Sequence, residues 1–285
     1  MIPASFEYVR ATSLSEVIGL LQKDPDNTKL VAGGHTLIPT LKLRLASPAL
    51  LIDIGGIGDL KGIEIGDRIR IGALTKHAEL LASKELHDLL PIFHQAADII
   101  ADPQVRNRGT IGGSLANADP AADWPAVIIA LKAELEIAGP SGSRRIGATD
   151  FFVDIFTTAL EIDEVLVAIH IPRPDAGTQF RYRKIRHPAS GYAVVGVAVG
   201  ASMKDGVVSN VTIGITGAAG HAFAADVATD YLIGKSLGRE TIERAARLAS
   251  EQAPCLSDHY ASAEYRQHLI RTEVARALAS LVGAT

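Results

Sequence analysis

Two pairs of adjacent glycines constrain this chain more than any other feature of its sequence. The first pair lies in Ala32-Gly33-Gly34-His35-Thr36, between a predicted strand and a predicted helix. Adjacent glycines allow a tight turn and let the backbone approach a ligand closely, because no Cβ is in the way. Several N–H groups can then point into one concavity, to which the following helix adds its positive N-terminal end. That geometry suits a phosphate group, although an ordinary turn could have the same sequence.

The second pair lies in Thr110-Ile111-Gly112-Gly113-Ser114, within a polar stretch over residues 102–120 that is rich in Asn, Asp, Gly and Pro. A polar stretch of this length without clear periodicity is usually functional when it is not disordered. Here Ile111, Leu115 and Trp124 favour an ordered structure. A ligand with a pyrophosphate group would need a cradle on each side, so the two glycine segments together predict such a ligand.

Other nucleotide-binding patterns are absent or incomplete. No Gly-x-Gly-x-x-Gly opens a helix, and Gly55-Gly56-Ile57-Gly58 does not complete that fingerprint. Gly234-Lys235-Ser236 resembles the end of a phosphate-binding P-loop, but Thr229 stands where the first glycine is required. The segment before Gly234 has a helical pattern, so we interpret this glycine as the end of a helix.

The composition argues against several other functions. The net charge of −4 comes without a basic stripe, which disfavours nucleic-acid binding. The apolar runs are too short to span a membrane, and the N-terminus lacks the pattern of a signal peptide. The one cysteine, Cys255, can form no internal disulfide, and an iron–sulfur cluster needs about four thiolates. Any metal redox centre must therefore lie on another chain, and a reducing, cytoplasmic location fits.

The predicted elements divide the 285 residues into three parts of α+β type. The first part, residues 1–56, has a βαβ pattern with helices over 13–22 and 37–45 and strands over 29–32 and 50–54. The second part, residues 57–175, has strands over 62–65, 68–72, 133–138 and 164–171, and helices near residue 80 and over 91–101 and 124–131.

The third part, residues 176–285, predicts a three-stranded antiparallel sheet followed by helices. Its strands are expected over 178–185, 192–203 and 207–216, and Asp205-Gly206 is a strong hairpin signal between the last two. Its helices are expected over 222–234, 239–252 and 263–281.

The two glycine segments, with Asn117, Asp119-Pro120 and Asp123 after the second, resemble a known family. It is the FAD-binding medium subunit of the molybdenum hydroxylases, of the carbon monoxide dehydrogenase and xanthine dehydrogenase type. The resemblance covers essentially the whole chain, and one small departure is Thr36, where serine is common. It implies a two-part FAD-binding domain of the PCMH/vanillyl-alcohol-oxidase type, packed against a separate C-terminal domain.

The resemblance also implies which residues bind the cofactor. The two glycine segments would wrap the pyrophosphate, with Leu37 included after the first: Ala32, Gly33, Gly34, His35, Thr36 and Leu37, then Thr110, Ile111, Gly112, Gly113 and Ser114. Lys29 and Asp123 would lie near the adenosine half or the phosphates. Leu166 and Val167 would pack near the flavin, and Lys184 and Tyr192 would approach the isoalloxazine ring.

Several of these residues also have a purely structural interpretation. Lys29 can be a surface charge, and Leu166 and Val167 can belong to the core of a strand. Asp123 can be the N-cap of a helix that starts at Trp124-Pro125, since Asp is favoured there and Pro is tolerated in a first turn.

The remaining candidates are open to other interpretations as well. Lys184 stands in a basic run over residues 181–186, which would be a solvated strand face or a partner contact. Tyr192 can be an ordinary strand aromatic. A covalent flavin link through His35 is conceivable, whereas the resemblance implies non-covalent FAD.

The resemblance implies a flavoprotein subunit that relays electrons. In this family a large subunit oxidises the substrate at a molybdenum cofactor, and a small subunit carries two 2Fe–2S clusters. The flavin subunit passes the electrons to quinone, NAD or oxygen, in a dimer of heterotrimers. Two alternatives stay open: a self-sufficient FAD-dependent oxidase or reductase, in which the third part binds the substrate, and a non-catalytic nucleotide-binding module.

Overall fold

The first part of the chain forms a three-stranded parallel sheet with two helices. The computed structural model describes residues 1–282. The last three residues of the predicted third part, 283–285, lie outside the described residues. In chain order the elements are β1 (Glu7–Arg10), α1 (Leu14–Leu21), β2 (Thr28–Val31), α2 (Leu37–Lys42) and β3 (Leu50–Asp53). The strand order is β1-β3-β2, with both pairs parallel. The sequence did not predict β1, because it is mostly exposed and shows no apolar alternation.

The two helices of this part differ in how well the sequence predicts their ends. α1 begins as expected, because the Ser13 hydroxyl accepts a hydrogen bond from Glu16 N and the Glu16 carboxylate accepts one from Thr12 N, at 3.2 and 2.8 Å. This reciprocal pairing satisfies N–H groups at the helix start. α2 ends at Lys42 rather than at residue 45, and Arg44 has a φ of +57°, which no helix accommodates.

The second part contains a five-stranded antiparallel sheet and several short helices. Its strands are in the order β4-β5-β10-β6-β7, and β8 and β9 form a separate hairpin. The elements are β4 (Ile63–Ile65), β5 (Arg68–Gly72), α3 (His77–Ala82), α4 (Lys84–Leu89), α5 (Pro91–Asp98), α6 (Pro103–Arg106), α7 (Ile111–Asn117), α8 (Trp124–Ala130), β6 (Glu134–Gly139), β7 (Gly142–Gly147), α9 (Ala148–Phe151), β8 (Phe152–Asp154), β9 (Thr157–Thr158) and β10 (Val165–Pro172). The second glycine segment is therefore the N-cap and first turn of α7, not a loop.

The third part is a four-stranded antiparallel sheet covered by helices. Its elements are β11 (Gln179–Arg186), β12 (Ala193–Lys204), β13 (Val207–Thr216), β14 (Phe223–Ala224), α10 (Asp226–Leu232), α11 (Arg239–Gln252) and α12 (Ala263–Val282). The three predicted strands are present, and Asp205 and Gly206 form the hairpin turn with positive φ values of 52° and 78°. The short β14 was not predicted, and it occupies the start of the helix expected over 222–234.

The helix α8 belongs to the second part of the chain and packs against the sheet of the third part. All seven of its residues are buried, as expected for a helix that is apolar on every side. Trp124 packs against Phe93 of α5, with 5.5 Å between the ring centroids. On the other side, a Cβ at Gly214 of β13 would lie 2.2 Å from the Ala126 carbonyl oxygen. The absence of a side chain at Gly214 lets the C-terminal sheet contact the helix backbone directly.

The three larger sheets occupy residues 7–53, 63–172 and 179–224. The domain boundaries expected after residues 56 and 175 stay predictions. Within residues 1–282, no helix combines the length and the apolar character that crossing a membrane requires.

Candidate functional site

The two glycine-bearing regions contact each other directly. A Cβ at Gly33 would lie 2.3 Å from the Arg108 carbonyl oxygen and 2.9 Å from Gly109 Cα. No side chain fits at that distance, so a glycine at position 33 is what lets the first part of the chain close on the second. The neighbouring Gly34 has a φ of +76°, a conformation that favours glycine.

The first glycine segment presents a row of unpaired backbone donors. Within residues 1–282, the N–H groups of residues 33–37 make no hydrogen bond to the protein, and the first bond of α2 is Ile38 N to Gly34 O at 2.9 Å. A helix start with unpaired N–H groups attracts an anion through hydrogen bonds and through the helix dipole. Because the segment is partly exposed, a phosphate group can reach these donors.

The second glycine segment is built differently. The N–H groups of residues 111–113 are already paired: Ile111 N with Thr75 O, Gly112 N with Ala73 O and Gly113 N with Thr110 Oγ1, at 3.0, 2.8 and 3.1 Å. Gly112 also packs so closely that a Cβ there would lie 2.4 Å from Ala73 Cβ. The groups that this segment can offer a ligand are the exposed backbone of Gly113 and the hydroxyl of Ser114, which has no protein partner among residues 1–282.

A buried histidine that the sequence did not reveal supports the contact between the two regions. His77, in the first turn of α3, accepts a hydrogen bond from Trp124 Nε1 at its Nδ1, at 3.1 Å, and its backbone N–H donates to Gly109 O. Burial lowers the pKa of His77 to about 4, helped by the nearby positive charges of His35 and Arg106. A single histidine without ligand spacing gives no signal in the sequence, because its role depends on Trp124, 47 positions away.

His77 predicts a specific loss of stability in acid. Between pH 6.5 and about 4 the unfolded chain binds a proton that the folded His77 does not, so the stability should fall as the pH falls through this window. At about 1.4 kcal/mol per pH unit, the loss is roughly 3 kcal/mol. Urea denaturation of His77→Asn, which keeps an acceptor near Nδ1 and does not titrate, should show a flatter pH dependence. The exposed control His259→Asn should keep the wild-type slope, and equal slopes for all three proteins would contradict the prediction.

A second polar cluster lies where α8 meets the C-terminal sheet. The Asp123 carboxylate accepts hydrogen bonds from Tyr182 Oη at 2.5 Å and from Lys184 Nζ at 2.9 Å. The side chains of Lys184 and Asp123 are only 1% and 6% exposed. Asp123 occupies the N-cap position of α8, but its side chain makes no capping hydrogen bond. The interpretation of Asp123 as an N-cap therefore holds for its position, but its carboxylate is half of a buried ion pair and does not cap the helix.

The environment of this cluster favours protonated groups. Burial raises the pKa of Asp123, although the Lys184 ammonium and the Tyr182 hydroxyl oppose that shift. Burial and the carboxylate together raise the pKa of Tyr182 well above 10. Partial burial and the carboxyl groups of Asp119 and Asp123 also raise the pKa of Tyr192. Both phenol hydroxyls therefore keep their protons around neutral pH.

The other predicted residues lie in varied surroundings. Lys29 is exposed on β2, and its side chain has no polar partner among the described residues. Leu166 and Val167 are buried, at 5% and 7% exposed, in two different hydrophobic clusters. The pairing of β10 with β6 is irregular at this point, because the register shifts between Leu166 and Ala168 and leaves Val167 inside the irregularity.

Two of the four cations in the basic run over residues 181–186 are paired with carboxylates inside the chain. Arg181 donates to the carbonyl oxygens of Phe180 and Ser280, Arg183 Nε pairs with the buried Glu273 at 2.6 Å, and Lys184 pairs with Asp123. The interpretation of Lys184 as part of a solvated face is therefore wrong.

Neither of two clefts elsewhere in the described structure nor a metal site competes with this location. Two clefts of about 330 and 270 Å³ lie around Lys132, beyond the C-terminal end of α8, and no residue of either glycine segment lines them. Residues 1–282 contain no group of three or more His, Cys, Asp or Glu side chains placed to hold a metal ion.

The start of α2 has five unpaired N–H groups over residues 33–37, and the backbone of Arg108 and Gly109 packs against it. A C-terminal α+β domain follows. Together these features define a protein that binds a phosphate-bearing cofactor. Family models identify the cofactor. The model described as "FAD binding domain in molybdopterin dehydrogenase" matches residues 4–174, and "CO dehydrogenase flavoprotein C-terminal domain" matches residues 180–281. The chain belongs to the family of FAD-binding medium subunits of the molybdenum hydroxylases. The predicted fold class is confirmed.

Characterised relatives match along nearly the whole chain. The carbon monoxide dehydrogenase medium chain of Afipia carboxidovorans is 39% identical, over 98% of this chain and 97% of the relative. The glyceraldehyde dehydrogenase medium chain of Sulfolobus acidocaldarius is 37% identical, over 95% and 96%. Among solved structures, carbon monoxide dehydrogenase from Hydrogenophaga pseudoflava has a TM-score of 0.96 at 40% identity, over 99% of both chains.

Proposed function

We propose that this chain is the electron-transferring flavoprotein subunit of a molybdenum hydroxylase complex. It receives electrons from two 2Fe–2S clusters on a small partner subunit and passes them through non-covalent FAD to an external acceptor. The observation that carries the proposal is the row of unpaired N–H groups over residues 33–37, beside the close contact of Gly33 with Arg108 and Gly109. Such a row suits the phosphates of a dinucleotide cofactor.

The partly exposed row of donors over residues 33–37 suits the phosphate end of FAD. The N–H groups over residues 33–37 would hold the pyrophosphate, together with the hydroxyl of Ser114. Lys184 and Tyr192 are the candidates for the isoalloxazine end. FAD, when bound, supplies the redox chemistry, and the protein sets its position and electronics.

The polar cluster determines what the chain itself contributes at that end. Asp123 and Tyr182 hold Lys184 in one position, so its positive charge is oriented before any cofactor arrives. A fixed charge in a water-poor site stabilises negative charge more strongly than a mobile one does. The hydroxyl of Tyr192 has no acceptor among residues 1–282, and its raised pKa keeps the proton on it at neutral pH.

The remaining cofactors are assigned to partner chains. The chain has one cysteine, too few for an iron–sulfur cluster, and the described residues include no metal-binding group. By analogy with the family, we propose that the molybdenum cofactor lies on a large subunit and both 2Fe–2S clusters on a small subunit, in a cytoplasmic dimer of heterotrimers. Quinone, NAD and oxygen are all possible acceptors.

The proposal predicts that the chain binds FAD but oxidises no organic substrate by itself. The purified chain mixed with FAD should show protein-bound flavin absorption, yet it should not reduce a dye with carbon monoxide, a purine, an N-heterocycle or an aldehyde. The complex co-expressed with its large and small subunits should reduce the dye with one of these. Turnover by the isolated chain would contradict the proposal, and so would a complex that contains no flavin.

A further inference from the structure

Arg266, in the first turn of α12, is a buried charge that makes no contact with the candidate FAD residues. It is 7% exposed. One of its terminal nitrogens donates to the carbonyl oxygens of both Val194, at 2.7 Å, and Gly217. The other pairs with the Asp258 carboxylate. Its Nε is a buried donor without an acceptor. Because an unpaired buried donor costs free energy, this placement is not the one that best satisfies the arginine itself.

The two carbonyl groups lie at the ends of neighbouring strands. Val194 is the second residue of β12, directly after Tyr192 and Ala193, and Gly217 follows the last residue of β13. Gly217 has a φ of +82°, and a Cβ there would lie 2.6 Å from the Ala193 oxygen and 2.9 Å from the Val194 oxygen. One terminal nitrogen of Arg266 bonds to the Val194 and Gly217 oxygens, so the guanidinium bridges the two strand ends.

The same strand ends hold the segment that carries Asp119 and Asp123. Gly217 N donates to Pro120 O at 2.7 Å, and Ala193 N donates to Ala121 O at 3.1 Å. The Thr216 hydroxyl lies 2.8 Å from both Pro120 O and Ala122 O. The peptide groups around Gly217 therefore connect Arg266 on one side with residues 120–122 on the other.

We propose that Arg266 is a positioning residue for the flavin end of the site. It fixes the ends of β12 and β13, and through them Tyr192 and the segment that presents Asp119 and Asp123. A hydrogen bond from a cation to a peptide carbonyl also polarises that peptide, which strengthens the chain of bonds behind it. The inference rests on the proposed function, because it assumes that the isoalloxazine ring lies beside Tyr192 and Lys184.

The test uses the complex assembled with its large and small subunits. Arg266→Met should keep FAD but alter the visible circular dichroism of the bound flavin. It should also lower the equilibrium constant for flavin reduction by about tenfold or more, equivalent to about 30 mV for a two-electron couple. Arg266→Lys keeps the charge without the planar fork, so it should recover only part of the difference. Asp258→Asn removes the ion pair but leaves both carbonyl contacts, and it should match the wild type, as should the exposed Arg276→Met on the same helix.

The outcomes separate this inference from the proposed function. An Arg266→Met complex with full FAD content and wild-type dichroism and potential would overturn the positioning role. If that variant fails to assemble, Arg266→Lys decides: wild-type values overturn the role, and shifted values support it. An Asp258→Asn complex as altered as Arg266→Met would assign the effect to the ion pair instead. A wild-type complex without flavin would overturn the proposed function itself.

Discussion

Replacing Gly33 with alanine is expected to weaken FAD binding by at least about 100-fold, equivalent to about 2.7 kcal/mol. The new methyl group would lie 2.3 Å from the Arg108 oxygen and 2.9 Å from Gly109 Cα. Both are backbone atoms and cannot rotate away, so the two segments would have to separate. That movement would carry the N–H groups over residues 33–37 away from the phosphates. Titration of the purified chain with FAD, followed by quenching of flavin fluorescence, measures the change.

Two further glycines provide controls for this substitution. At Gly19, in α1, an added Cβ meets no atom within 4 Å, so Gly19→Ala should bind FAD like the wild type. An added Cβ at Gly113 would lie 2.8 Å from Thr110 Oγ1. The Thr110 side chain can rotate away, but it would then lose its capping hydrogen bond from Gly113 N. Gly113→Ala should therefore have an intermediate effect on FAD binding. A folded Gly33→Ala protein with wild-type affinity would show that the contact with Arg108 and Gly109 is not needed for binding.

The two glycine segments were predictable from the sequence because local chemistry determines them. Glycine at positions 33 and 34 meets a requirement for close approach and for positive φ, and both are properties of single residues. The sequence did not show that the two segments would differ. Thr110 and Gly113 look like a loop with free N–H groups, but Ala73 and Thr75, almost forty positions earlier, already accept hydrogen bonds from this segment.

The most informative polar contacts were hidden for the same reason. His77 and Trp124 are 47 positions apart, Asp123 and Lys184 are 61 apart, and Arg266 and Val194 are 72 apart. No local period links such residues, so their partners emerge only once the sheets and α8 are placed. The short strands β1 and β14 escaped prediction on similar grounds, because pairing with a neighbouring strand stabilises them more than their own propensity does.

Breaking the ion pair between Asp123 and Lys184 is expected to cost about 3–5 kcal/mol of folding free energy, because it leaves a buried charge without a partner. The two halves should differ. Asp123→Leu leaves the Lys184 ammonium without its carboxylate partner, although the Lys184 side chain is only 1% exposed. Lys184→Met leaves a carboxyl that can take up a proton, since burial already raises the pKa of Asp123. At pH 7, Asp123→Leu should therefore be the more destabilising substitution, as measured by urea denaturation of the FAD-free chain.

The pH dependence of Lys184→Met distinguishes a buried charge from simple loss of packing. Without Lys184 the folded pKa of Asp123 rises further above its unfolded value. The contribution of Asp123 to the stability of this variant is then fully present below the unfolded pKa and is lost as the pH rises through the folded pKa. Measured against the wild type, which shares the acid loss at His77, Lys184→Met should therefore be less destabilised at pH 5 than at pH 7. The double variant Asp123→Leu/Lys184→Met leaves no buried charge and should recover much of the loss. The control Lys84→Met breaks an exposed pair with Asp88 and should show no resolvable change, because exposed ion pairs contribute little. If Asp123→Leu were as harmless as this control, Lys184 would have to reach water or another acceptor, which would contradict the fixed position proposed for it beside the flavin.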